Sequence, residues 1–84
     1  MEAPNESNGG VVIAQFEKNK REEVRLSVET FRGRKIINIR VFYRDDTGEW
    51  KPGKQGLAIS IERYKELAGA ILELGQHLKA TGAM

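Results

Sequence analysis

The chain has 84 residues, 39% hydrophobic and 31% charged, with nine Gly, one His and no Cys. That length holds one small domain, and the composition excludes a disulfide framework, a thiolate zinc site and any metal or triad chemistry that needs clustered His. The formal charge is only +2, yet Arg32 to Lys54 contains seven basic and three acidic residues and carries +4, leaving −2 for the remainder; a positive patch in mid-chain suits a polyanion.

In chain order, Met1 to Gly10 is rich in Pro, Asn, Ser, Gly and Glu, has little to bury, and reads as a loose tail. It lacks the basic and apolar regions of a signal peptide, and no run is long enough to span a membrane, so an intracellular location and no membrane partner are expected. Val11, Val12, Ile13 and Phe16 suit a short first strand, ahead of the nearly all-polar stretch Glu17 to Glu23. From Val24 the period is two: Val24, Leu26, Val28 and Thr30 alternate with Arg25, Ser27, Glu29 and Phe31, the pattern of a half-buried strand. Arg32-Gly33 supplies a two-residue hairpin turn, and Arg34 to Tyr43 reads as the returning strand. With Phe31 opposite Arg34, Val28 faces Ile37, Leu26 faces Ile39 and Val24 faces Val41, so one hairpin face is aliphatic and the other carries Arg25, Ser27, Phe31, Arg34, Asn38 and Arg40.

Asp45-Asp46-Thr47-Gly48 is a turn signal, Glu49 to Lys51 a short extended piece, and Pro52-Gly53 a break before the apolar stretch Leu57 to Ile61. Ser60 is placed to cap a helix with Glu62 in its first turn. Tyr64, Leu67, Ala68, Ile71, Leu74, Gly75 and Leu78 then share one side at helical spacing, to about Leu78 or Lys79, where the Thr81-Gly82 signal ends the helix. The expected fold class is α+β: a four-stranded antiparallel sheet and a C-terminal helix. The domain spans 11–80, between the 1–10 tail and a flexible 81–84.

The cationic hairpin face also presents rings, with Phe31 beside the turn and Tyr43 and Lys51 nearby. Cations neutralise phosphates and exposed rings stack on unpaired bases, which is the mixture single-stranded nucleic acid requires. A solvated face with a few surface aromatics gives the same composition. The run VRLSVETFRGRKIINIRVFYRDDTGEWKPGKQGLAISI, Val24 to Ile61, resembles the core of the positive cofactor 4 family of transcriptional coactivators and their bacterial and phage relatives. The most specific blocks are FRGR at Phe31 to Arg34, NIRVFY at Asn38 to Tyr43 and GEWKPGKQG at Gly48 to Gly56.

The resemblance implies four antiparallel strands and a helix, dimerised through the helices, with strand-lined channels that bind single-stranded or unwound DNA with little sequence preference. It implies that Phe31 and Tyr43 stack on bases while Arg32, Arg34, Arg40, Lys51 and Lys54 contact phosphates. Arg25, Asn38, Trp50 and Gln55 form a second tier. Trp50 reads either as a third ring in the channel or as packing against the hairpin, and Gln55 stands where the best-known members have Lys. Tyr43 replaces their Trp but keeps a stacking face, and Glu29 occupies a position that is basic in eukaryotic members. The basic, Ser-rich regulatory tail of those members has no counterpart here, so phosphorylation control and activator bridging are not implied. Strict alternation puts Arg40 and Tyr43 on opposite faces, so the channel geometry calls for a bulge or strong twist near Phe42.

Other motifs carry less. Gly48 to Lys54 nearly spells a P-loop, but Gln55 replaces the Ser or Thr and no βαβ setting surrounds it. Asp45, Asp46 and Glu49 are explained by a turn without a metal, and His77 as a helix-end residue. Lys18, Lys20 and Arg21 could extend a phosphate track, but Glu17, Glu22 and Glu23 nearly cancel their charge. No enzyme and no cofactor is expected, for want of an acid, base or nucleophile constellation. The wide helix stripe, with Leu67, Ile71, Leu74, Gly75 and Leu78, either covers its own sheet or forms a symmetric dimer surface. The function expected is sequence-nonspecific binding of single-stranded DNA by a homodimer, in transcription, replication or recombination, in the nucleoid or the nucleus according to source. The alternatives are RNA binding and a protein-interaction module that docks a polymerase or other transcription or replication protein.

Overall fold

The computed structural model describes residues 10–84, so the tail expected at the N-terminus lies, Gly10 apart, outside the described residues. Strands β1 (Val11–Asn19), β2 (Glu22–Phe31), β3 (Arg34–Arg44) and β4 (Trp50–Ser60) form one antiparallel meander in chain order. Helix α1 (Tyr64–Ala80) follows. Between β4 and α1 lies one 3₁₀ turn, Ile61–Arg63, and it is this turn that Ser60 caps, its Oγ accepting from the Glu62 N–H at 3.2 Å.

The β2–β3 hairpin has the register its sequence dictates: Phe31 pairs with Arg34, Val28 with Ile37, Leu26 with Ile39 and Val24 with Val41. Both turn residues are left-handed, Arg32 at φ 54° and Gly33 at φ 77°. This primed geometry matches the right-handed twist of the flanking strands. β1 is longer than its apolar residues suggest. It runs through Glu17, Lys18 and Asn19, with register shifts at Ile13 and Lys18. Asn19 ends it, its Oδ1 accepting from the Arg21 N–H at 2.9 Å and its Nδ2 donating to Glu22 at 2.8 Å, which shapes the two-residue turn at Lys20 and Arg21.

The fourth strand departs from expectation. Pro52-Gly53 does not break it, because β4 lies at the sheet edge, where the missing proline N–H leaves no ladder bond unmade. The irregularity is instead a large bulge: Arg40 pairs with Gly56 and Phe42 with Pro52, so Val41 of β3 faces Gly53, Lys54 and Gln55 of β4. A bulge does lie next to Phe42, at Val41, but its extra residues belong to β4. The β2–β3 ladder is unbroken, and Arg40 and Tyr43 stay on opposite faces.

Gly53 is required where β4 crosses β3, since a Cβ there would lie 2.9 Å from the Val41 carbonyl oxygen. Backbone cannot step aside as a side chain can. Gly53→Ala is therefore expected to lower stability by about 1–3 kcal/mol, read by thermal melting. A wild-type melting temperature would show that the bulge relaxes freely.

The molecule is only 18 Å along its shortest dimension, so little of it lies far from solvent. Among the described residues only Phe42 and Ser27 are buried, both 8% exposed. The first half of the helix stripe (Tyr64, Leu67, Ala68, Ile71) and Leu26, Ile37 and Ile39 of the sheet line a cavity of about 310 Å³, so helix and sheet meet without closing on each other. Among the described residues no helix is long and apolar enough to cross a membrane.

Candidate nucleic-acid interface

At the hairpin tip the tight turn throws Phe31 outward. Phe31 is 51% exposed, with the Arg32 guanidinium 5.1 Å from its ring centroid and Arg34 directly across the ladder. An exposed ring with cations beside it offers a π-face and phosphate partners together.

Farther along the same face the cations are committed to the protein itself. Arg25 pairs with Glu23 at 2.5 Å and lies over the ring of the buried Phe42 at 4.2 Å, shielding it. Trp50 is half-buried between Arg25 at 5.8 Å and Arg44 at 5.7 Å. Asn38 Nδ2 and Ser27 Oγ both donate to Glu29 at 2.9 Å. The Asn38 Oδ1 is buried without a hydrogen-bond partner among the described residues. Arg40 donates to the Gly53 carbonyl at 3.1 Å and, more weakly, to that of Lys54 at 3.5 Å, so it ties down the bulge. Gly56 makes room for it: a Cβ there would meet the guanidinium carbon at 2.7 Å.

The opposite face holds a second cluster at the far end of the hairpin. Tyr43, 41% exposed, lines a cleft of about 220 Å³ with Glu22, Val41, Gly53, Lys54 and Gln55. The bulge places Lys54 and Gln55 there. Lys18 Nζ reaches both Glu22 at 3.2 Å and Gln55 at 3.5 Å, joining the two sheet edges above the cleft. Hydrogen bonds from Asn19 and Lys18 hold the Glu22 carboxyl below its usual range. Lys51, paired with Tyr43 in the ladder, bonds Asp45 at 2.9 Å. That ammonium, with the Thr47 hydroxyl and the Thr47 and Glu49 N–H groups, holds the Asp45 carboxyl well below the carboxylate range, and Asp45 in turn raises Lys51. The sequence offers Lys18 only as an extension of a phosphate track and Glu22 only as a charge that offsets it, not as members of this cleft. Only the bulge brings β4 over to them.

The helix residues Leu67 and Ile71 face the sheet cavity, whereas Leu74, 55% exposed, lies farther along the stripe, with Gly75 and Leu78 half-buried. Nothing among the described residues approaches within 4 Å of a Cβ built at Gly75, so any close backbone approach there has to come from another chain.

Residues 18–70 match the family model described as Transcriptional Coactivator p15 (PC4), and the matched span holds the whole of both clusters. The chain belongs to the PC4 family. Among its relatives is the RNA polymerase II transcriptional coactivator SUB1 of Saccharomyces cerevisiae, 38% identical over 72 residues, which cover 84% of this chain and 23% of the yeast protein. A putative RNA polymerase II transcriptional coactivator of Neurospora crassa is 38% identical over 69% of this chain and 33% of its own. The chain thus spans about a quarter to a third of these relatives. A PC4 homologue from Burkholderia pseudomallei has the same fold at a TM-score of 0.73, with 27% identity over 79% of this chain and 89% of its own. MoSub1, solved as a DNA complex, superposes at 0.60 with 29% identity over 82% and 84%. The PC4 match ends at residue 70, so Ile71, Leu74, Gly75 and Leu78 lie beyond it.

Proposed function

We propose that the protein binds single-stranded or unwound DNA as a homodimer, with little sequence preference, in transcription regulation or in replication and recombination. The observation that carries this reading is the placing of an exposed ring beside cations at each end of the β2–β3 hairpin, Phe31 with Arg32 and Arg34, and Tyr43 with Lys51 and Lys54. Kinship with a DNA-bound PC4 relative and with RNA polymerase II coactivators points the same way. The binding unit is residues 11–80, with 1–10 and 81–84 as flanking segments.

Arg32, Arg34 and Lys54 capture phosphates directly, while Lys51 does so with its charge partly offset by Asp45. Arg40 acts mainly by holding the bulge that presents Lys54. Bases then stack on Phe31 and Tyr43. Arg25 and Trp50 serve by packing, and the exposed half of the helix stripe joins the two protomers. The role is non-enzymatic.

Neutralising about four to six phosphates gives a slope of log affinity against log salt of about −3 to −4, roughly a hundredfold loss between 50 and 200 mM. Fluorescence anisotropy of a labelled single strand, competed with the matching duplex and RNA, measures slope and preference together. A slope near zero, or equal competition by duplex, would sink the reading; stronger competition by RNA would redirect it to RNA.

A further inference from the structure

We propose that Lys20, Arg21 and Arg44 form a second phosphate seat, which takes the backbone of the bound single strand where it leaves the Tyr43 cleft. This rests on the single-strand reading above and extends it to residues that the two clusters do not include.

The three cations come from two separate turns. The Arg44 N–H donates to the Arg21 carbonyl at 3.0 Å, locking the β1–β2 turn against the end of β3. Beside that bond is a concavity of about 310 Å³ lined by Lys20, Arg21, Arg44, Asp45, Asp46 and Gly48. By sequence alone Glu17, Glu22 and Glu23 offset the basic residues of this region. In space they do not. Glu22 is held by Asn19 and Lys18, Glu23 by Arg25, and Glu17 lies opposite Glu23 in the ladder. Asp45, although it lines the concavity, is engaged by Lys51, Thr47 and the Glu49 N–H. Asp46 alone is left to offset three cations, and among the described residues no carboxylate forms an ion pair with any of them.

The lining identifies the ligand. No aromatic side chain is present to stack a base, while two guanidinium forks match the oxygens of a phosphate. All three cations are exposed, so an anion reaches them without any rearrangement of the protein. Arg44 is already oriented by its position over the Trp50 ring. Arg21 adjoins Glu22 and Arg44 adjoins Tyr43, so seat and stacking cleft lie on either side of the Arg21–Arg44 bond. A strand rounding the sheet end from the cleft arrives at the seat.

The test is the double variant Lys20→Gln, Arg21→Gln in the full chain, with Arg44 kept because it packs on Trp50. A long labelled oligothymidine is titrated by anisotropy over a salt series. The variant is expected to bind several-fold more weakly, with a salt slope shallower by about 0.7 to 1.4, the loss of one or two phosphate contacts. Its melting temperature should equal that of the wild type, since both side chains are exposed. A variant with wild-type slope and affinity overturns the seat while leaving the single-strand reading intact. A wild-type protein that does not bind the oligomer overturns both.

Discussion

Leu74→Asp is expected to convert the protein into monomers. The protomer buries one apolar side chain, Phe42, among its described residues, and leaves Ile71, Leu72 and Leu74 each more than half exposed along one helix. An 84-residue chain with so little dry core gains stability chiefly by covering that surface. Burying the exposed half of one Leu side chain contributes about 0.8–1.6 kcal/mol, and a two-fold interface counts it twice. The loss is then about 1.6–3 kcal/mol, or a dissociation constant weakened by about 10 to 10², before the penalty of burying a carboxylate. Sedimentation equilibrium reads the mass. Melting of the proposed dimer should also depend on protein concentration, because association is what would cover the stripe. Glu73→Lys, on the far side of the helix, should leave the mass unchanged. A Leu74→Asp protein of wild-type mass would remove the helix from the dimer surface.

The double variant Phe31→Ala, Tyr43→Ala is expected to lose most single-strand binding while keeping its fold. Each base–ring stack contributes about 1–3 kcal/mol. Phe31 lies opposite Arg34, and Tyr43 is nine residues farther along the same strand, so the two rings are roughly 30 Å apart. Groups so distant act independently, and their losses should add to about 2–6 kcal/mol. Neither ring belongs to the small core, so the melting temperature should hold. Single variants carrying about half the effect each would support two separate stacking stations. Indifference to both substitutions would favour a protein-docking role, in which DNA binding is incidental.

Much of the architecture was legible in the residues because it is local. A two-residue turn with Gly33 sets Phe31 against Arg34, and every later pair of the hairpin follows by counting, as observed. The helix was legible from its apolar period, and its end from the Thr81-Gly82 pair, where Thr81 and Gly82 N–H groups bond the carbonyls of His77 and Lys79. The FRGR, NIRVFY and GEWKPGKQG blocks carried the family.

The fourth strand and the allocation of cations were not legible, and the reason is physical. Whether Pro52 breaks a strand depends on which neighbour is absent, and only the strand order puts β4 at an edge. Alternation tells which face a side chain takes but not what lies over it. Arg25 and Arg40 have the same period and charge as Arg34, yet one lies over Phe42 and the other holds carbonyls of a bulge thirteen and fourteen residues away. By itself the sequence therefore determined the hairpin register, the helix, the family and the placing of Phe31 beside Arg32 and Arg34, all of which rest on near neighbours or unbroken motifs. The tertiary structure alone decided which cations remain free, that Lys18 and Glu22 join the Tyr43 cleft, and that Arg44 meets Lys20 and Arg21, because each of these depends on contacts between segments that only the folded sheet brings together.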